Sequence, residues 1–504
     1  MTSSVEISSR TAPAAPSAKR LAGFLMGGAL LSKVLGLLRE ILIARAIGAS
    51  LVADSFRGGL TAVLLPLVIL QGETVPAILI PTYREWDRTG DAARRFGALT
   101  LALTLIAVLL FGVVELTAPF WIDVLLGGFG AAAHDLTLAF TRVMALAMPA
   151  SVLLCCLSAS EIARGRSRIT SIRAALVNVA VIGGVLLLLV TGQAIALAWS
   201  FSLAFNAVAV WAIGAAIKEG SISFRGAGLG EIGATFVLYM RRLRPLLLQP
   251  LAEQGEIWIE RLLASALAVG TIASLDYART LSDSATLLIG QPLGLAVLSA
   301  GPGQDARTQM EALARPVLAI SIPGSIFLVC FAPELVELVF HRGAFGPEAI
   351  ILTSNALRGI AAGLWATTLG YILLRMLNNL GWNRRATAIV AVGYIANALT
   401  GILLVHTLGG FALGFGEAVR GVVVLTGVTL ALGCMQPLLR VIRDALPGVI
   451  LLVVFSSMIM TGIEGVLPRL FLGAAAAAVA AALSALIMVP RARVLLGTII
   501  RRVV

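Results

Sequence analysis

Along the chain, long apolar runs alternate with short polar breaks. Runs of about 20 residues, the length at which an α-helix crosses bilayer hydrocarbon, fall at roughly 21–45, 55–80, 96–118, 136–158, 170–190, 194–217, 243–268, 271–299, 314–333, 350–377, 386–406, 410–434, 445–463 and 469–489. The pattern predicts an all-α polytopic membrane protein of about fourteen transmembrane helices. Pro66, Gly72 and Pro76 interrupt the second run, which predicts a kinked or broken helix there. An even number of spans places both termini on one side.

Composition agrees with the pattern and removes other classes. Of 504 residues, 59% are hydrophobic and 13% charged, against about 25% charged in soluble domains, and the mean hydropathy is +0.97. So much apolar surface has no aqueous way to hide, which excludes a soluble enzyme, a secreted disulfide scaffold and a disordered binder. Cys155, Cys156, Cys330 and Cys434 form no C-x-x-C pair, and His134, His341 and His406 are scattered, so no metal site is signalled. Residues 1–20 are Ser/Ala/Pro-rich and lack the apolar stretch of a secretory signal, reading as a cytosolic tail.

The net charge of +12 would point to nucleic acid in a soluble protein, but its distribution points to topology. With the N-terminus inside, the inner loops hold 26 Lys and Arg and the outer loops only Arg342 and Arg469. Positive loops stay cytoplasmic, so both termini are predicted inside and no nucleic-acid partner is needed. Ten basic residues remain within spans: Lys33, Arg39, Arg45, Arg57, Arg142, Arg261, Arg279, Arg358, Arg375 and Arg420. At about 2.5 to 3.5 kcal/mol each on insertion scales, they must pair with acids or line a water-filled cavity.

The two halves repeat. Arg39, Gly48, Asp54 and Arg57 recur at a constant offset as Arg261, Gly270, Asp276 and Arg279; further on, Ala118-Pro119 resembles Ala332-Pro333, and after a two-residue insertion Gly127, Phe129, Gly130 and Arg142 fall on Gly343, Phe345, Gly346 and Arg358. Spans one to six therefore read as duplicated in seven to twelve. Six spans per unit preserve orientation, predicting two parallel lobes around a central cavity. The organisation that follows is a tail (1–20), an N-terminal lobe (21–218), a C-terminal lobe (219–435), and two further spans with a basic cytosolic tail (436–504).

Lys33, Gly36 and Glu40 share one face of the first span, with Arg39 a third of a turn away. A basic, glycine-relieved face inside a membrane suits an anionic phosphate headgroup, and Arg39 can grip it bidentately; Arg261 is its repeat mate. Asp54 with Arg57, and Asp276 with Arg279, have i, i+3 spacing, which fits an intrahelical salt bridge as well as a gate or substrate contact. Span seven carries Glu253, Glu256 and Glu260 on one face. Three such carboxylates repel each other and resist desolvation, so the stripe predicts a bound cation, proton exchange or pairing with Arg261 and Lys33. Asn397 and Glu417 are candidates for the same ion-coupling site. There is no nucleophile motif and no phosphate-binding loop, so ATP hydrolysis is not expected and no cofactor is implied beyond coupling Na+, H+ or the membrane potential.

These residues resemble the MurJ/MviN family of lipid II flippases within the multidrug/oligosaccharidyl-lipid/polysaccharide exporter superfamily. The family pattern S-R-V-L-G-x-x-R-[DE] is similar to Ser32-Lys33-Val34-Leu35-Gly36-Leu37-Leu38-Arg39-Glu40, G-A-x4-D-A-F to Gly48-Ala49 through Asp54-Ser55-Phe56, and R-G-A-F to Arg342-Gly343-Ala344-Phe345. Two motifs depart from it. L-P-N-L-L-R-R-x-x-A-E-G reads Leu65-Pro66-Leu67-Val68-Ile69-Leu70-Gln71-Gly72-Glu73, without the arginine pair, and Y-A-D-R-L reads Tyr277-Ala278-Arg279-Thr280-Leu281.

The resemblance implies a non-enzymatic flippase in the bacterial inner membrane, moving a polyprenyl-diphosphate-linked saccharide, lipid II for peptidoglycan synthesis, by alternating access. It implies cavity arginines on the diphosphate, a groove for the lipid tail at spans thirteen and fourteen, and cell-wall or polysaccharide synthesis proteins as partners. The departures leave open a lipid-linked exopolysaccharide or O-antigen unit. A cation-coupled drug exporter is the reading from another class, and needs an acidic or aromatic cavity that the basic first span and 6% aromatic content do not favour.

Overall fold

The computed structural model describes residues 18–72, 74–226, 228–298 and 306–489; the side chains of residues 18–31 and 285–307 are outside it. Residues 1–17 of the N-terminal tail, Glu73 and the basic tail with Arg491, Arg493, Arg501 and Arg502 fall outside the described residues, as does the Arg307 side chain.

Among the described residues the chain is helical. The first half runs α1 (Ala18–Ile47), α2 (Leu51–Leu64), α3 (Val68–Gln71), α4 (Thr74–Arg88), α5 (Ala92–Leu125), α6 (Ala131–Ala145), α7 (Met148–Ala163), α8 (Arg168–Thr191) and α9 (Ala196–Lys218). A shorter α10 (Leu229–Leu243) leads to α11 (Leu248–Ser265), α12 (Thr271–Leu298), α13 (Ala306–Cys330), α14 (Ala332–Phe340), α15 (Pro347–Ala362), α16 (Leu364–Asn379), α17 (Asn383–Leu408) and α18 (Gly410–Ala431). The last two are α19 (Met435–Gly462) and α20 (Val466–Met488).

The predicted break in the second run is present. Pro66 opens a 3-10 turn at Leu65–Leu67, and Gly72 leaves helical geometry at the end of α3, because proline withholds a backbone donor and glycine carries no side chain to hold the turn.

Nine helical stretches of the described residues are long and apolar enough to cross a membrane, and eleven if the bent pairs α6/α7 (44°) and α15/α16 (47°) each count as one. The charged helices are α1, which carries Lys33, Arg39, Glu40 and Arg45, α11, which carries Glu253, Glu256, Glu260 and Arg261, and α12, which carries Asp276, Arg279 and Asp283.

One apolar core fills the first half and continues into α12, α14 and α15, where Tyr277, Phe340 and Phe345 are fully buried. Their rings pack at 5.2 to 5.6 Å between centroids, distances typical of favourable aromatic pairs. A second core joins α13, α16, α17, α18 and α19.

At the opposite end of the bundle α10 ties the halves together. Its Thr235, Tyr239 and Leu243 share a buried face at helical spacing. The Tyr239 hydroxyl donates to the Ile69 carbonyl at 2.6 Å, where the helix break frees a carbonyl, and Arg242 donates to Thr82 and Glu85 at 2.7 Å each. At this end too, Glu219 just beyond α9 accepts from Arg164 at 2.6 Å, from Arg166 at 2.8 Å and from Arg168.

Candidate functional site

The charged residues of α1, α2, α11, α12 and α18 form one buried chain of ion pairs. In the first half Arg39 is half-buried and donates to Glu40 at 2.6 and 3.1 Å and to Asn178 of α8 at 2.9 Å. Asn178 is itself held by the Ser32 and Ala174 carbonyls. Arg57 of α2 is 7% exposed and reaches back to Glu40, also buried. Two guanidiniums thus share one carboxylate, a pairing that offsets the cost of burying them.

In the second half Asp276 plays the sharing role. It accepts from Arg261 of α11 at 2.7 Å, lies 3.4 Å from Arg279, and faces Arg57 of the first half at 3.7 Å. Arg279 also pairs with Glu260 of α11 and with Glu417 of α18, the latter at 2.5 Å, and Glu417 lies 3.7 Å from Arg420. Glu256 accepts from Asn397 of α17 at 2.7 Å. The duplicated arginines behave alike, since Arg57 and Arg279 each reach back to a glutamate on the preceding charged helix.

The shared carboxylates leave some donors unmet. Among the described residues the Nε of Arg57 and the Nε of Arg261, on side chains more than nine-tenths buried, have no hydrogen-bond partner, and neither has Oε1 of Glu260. At 3.7 Å Arg57 Nε attracts Asp276 without a hydrogen bond. A buried donor left unpaired is costly.

Asp54 belongs to a different structure. Its oxygens accept the backbone N–H groups of Gly270 at 2.6 Å and Ala273 at 2.8 Å, so a residue of α2 caps the N-terminus of α12 across the two halves. Gly48 (φ +63°) and Gly270 (φ +92°) stand in left-handed turns at this contact. A Cβ on Gly48 would lie 2.4 Å from the Ala344 carbonyl oxygen, and one on Gly270 the same distance from that of Ala49, so glycine is needed for both backbone angle and approach. Ala344 N donates to the Arg45 carbonyl at 2.9 Å and Gly128 N to Ser265 at 3.1 Å.

Several pairings differ from those read in the sequence. Arg57 pairs with Glu40 and Asp276, and its i, i+3 neighbour Asp54 turns to backbone; Asp276 and Arg279 do approach within one helix. Arg261 binds Asp276, and the Glu260 of the stripe binds Arg279. Glu253 is half-buried one turn before Glu256. Lys33 is exposed and stands within electrostatic reach of Asp283 on α12. Asn178 completes the network without having been singled out, and Arg420, one of the ten basic residues expected to pair or line a cavity, pairs with Glu417 at i, i+3 spacing.

A bundle of apolar helices with its charges buried between two halves is the architecture of a multi-pass membrane transporter, and comparisons place it. Residues 43–487 match the family described as lipid II flippase MurJ. A probable lipid II flippase MurJ of Rhizobium tropici is 23% identical over 417 residues, covering 79% of this chain and 77% of that protein. One from Haemophilus influenzae is 25% identical over 413 residues, covering 73% and 76%. Among solved structures, a lipid II flippase MurJ in an inward closed conformation shares the fold with a TM-score of 0.78 at 14% identity, over 92% of this chain and 98% of that one. An inward-facing multidrug resistance MATE family transporter of the MOP superfamily follows at 0.61 and 15%, over 81% and 94%. The chain belongs to the MurJ family. It is a transporter of the bacterial inner membrane, without catalytic chemistry of its own.

Proposed function

We propose that this chain carries a polyprenyl-diphosphate-linked saccharide, lipid II in the first instance, from the inner to the outer leaflet by alternating access of two six-helix lobes. The eleven apolar spans together with α1, α11 and α12 make fourteen, and the excess of arginine in alternate loops puts both termini in the cytoplasm. The Asp54, Gly48 and Gly270 contacts then close the outer end.

The observation that carries the reading is the pair of buried, unpartnered Nε donors on Arg57 and Arg261 beside a carboxylate they share. Lys33, exposed and without a hydrogen-bonded carboxylate among the described residues, meets the diphosphate first; Arg39, Arg261, Arg57 and Arg279 take it as their resident carboxylates give way. Glu253, Glu256, Glu260, Asn397 and Glu417 are the groups through which a cation or proton couples to this exchange. Helices α19 and α20 form the groove for the lipid tail. An anion leaving an inside-negative cell runs downhill by about 2.3 kcal/mol per charge per 100 mV, so the potential drives export without ATP.

The missing arginine pair, replaced by Leu70 and Gln71, favours one second reading, in which the cargo is a related polyprenyl-diphosphate exopolysaccharide unit. The test is leaflet translocation in proteoliposomes by folded Lys33→Ala and Arg39→Ala variants. Each should lose most of its activity, and unchanged translocation in both would remove the diphosphate role.

A further inference from the structure

At the end of the bundle opposite Gly48 and Gly270, the turn that opens α11 and the loop joining α16 to α17 bound a cleft of about 540 Å3. Pro245 and Leu246 make an apolar wall, and Trp382, Asn383, Arg384 and Arg385 face it. The Arg385 guanidinium lies 4.8 Å from the centre of the exposed Trp382 ring. Neither Arg384 nor Arg385 has a carboxylate partner among the described residues, and no acidic residue lines the cleft. Some arginines at this end are neutralised, Arg164, Arg166 and Arg168 by Glu219 and Arg242 by Glu85, whereas Arg241 and Arg244 beside the cleft, like Arg384 and Arg385, have no carboxylate partner among the described residues.

We propose that this cleft binds the phosphate of an anionic phospholipid of the surrounding bilayer. Two uncompensated guanidiniums supply forked donors for phosphate oxygens. An exposed tryptophan at the end of membrane helices belongs at headgroup depth, and Leu246 with Pro245 offers an apolar surface to the glycerol and first methylenes, which free phosphate does not use.

The two walls lead into functional helices. The turn at Pro245 continues as α11, which carries Glu256, Glu260 and Arg261, and Arg384 lies in the first turn of α17, which carries Asn397. A phosphate held between them ties together the two helices whose side chains meet in the Glu256–Asn397 bond. The site lies outside the ion-pair chain and does not depend on the identity of the cargo.

The test is native mass spectrometry of the full chain with phosphatidylglycerol, phosphatidylethanolamine or inorganic phosphate. Wild type should retain phosphatidylglycerol about tenfold over phosphatidylethanolamine, and Arg384→Gln/Arg385→Gln should lose most of that preference. Arg440→Gln/Arg443→Gln removes the same charge at the same end and should leave it intact, while Arg384→Lys/Arg385→Lys should keep part of it. Equal losses in the two glutamine variants, both with wild-type thermal unfolding, would reduce the effect to diffuse surface charge and overturn the site. Displacement of the lipid by inorganic phosphate at equal concentration would overturn the lipid as ligand. Lipid retention is read without transport, so neither outcome touches the flippase reading.

Discussion

Asp54 accepts the Gly270 N–H at 2.6 Å, so a carboxylate of the first half caps a helix of the second. With Ala273 N as its other donor, Asp54 satisfies two orphan amides at the positive end of α12. Asp54→Ala should lower stability by about 1–2 kcal/mol, read as thermal unfolding in detergent, and should raise labelling of a cysteine introduced at Ala49. Asp54→Asn, which keeps one acceptor, should fall between. Wild-type labelling in Asp54→Ala would mean that the cap does not hold this end closed.

Gly270→Ala tests the same closure by shape. The new Cβ meets the Ala49 carbonyl at 2.4 Å, and φ is +92°, a strain of about 1–3 kcal/mol. The variant should unfold earlier and label more readily at position 49, whereas Gly112→Ala, whose Cβ meets nothing within 4 Å, should do neither.

Glu40 holds two arginines, one of them deeply buried. Glu40→Gln leaves Arg57 short of its counter-charge and should cost about 3 kcal/mol or more. Glu40→Gln/Arg57→Gln should recover much of that loss, and a double-mutant cycle on unfolding measures it. Additive losses would show that the pair is not coupled.

Glu219, beyond the end of α9, gives a pH signature. Burial pushes its carboxyl up, but the hydrogen bond and charge of Arg168, with the charges of Arg166 and Arg164, outweigh it and hold the group below its usual 4.5. The stabilisation is therefore complete above the unfolded pKa and is lost as pH falls through the lower folded one. Unfolding temperature should hold steady down to about pH 5 from this group and then drop, and Glu219→Gln should reduce the drop. An identical acid limb in the variant would assign the drop to other carboxylates.

How much was legible in the sequence varies with the range of the interaction. Helices, and the break at Pro66 and Gly72, follow from local apolar runs and backbone chemistry. Gly48 and Gly270, matched by offset alone, both occupy left-handed turns. The partners of the charges were not, because they come from distant helices. Asp54 and Asp276 are repeat mates, yet one caps backbone across the halves and the other gathers three arginines. Glu40 beside Arg39 looked like one element of a basic face, and only the packing of α1 on α2 shows that it also serves Arg57. The carboxylate stripe of α11 was visible, but its partition between Asn397 and Arg279 depends on where α12 and α17 lie.

The most direct measurement is native mass spectrometry of the purified chain offered lipid II, a polyprenyl-diphosphate exopolysaccharide precursor and a cationic drug, with Arg39→Ala beside wild type. A diphosphate-linked glycolipid should be retained selectively by wild type and lost in the variant, with lipid II preferred. Retention of the cationic drug alone, or glycolipid retention indifferent to Arg39, would contradict a buried arginine site for the diphosphate.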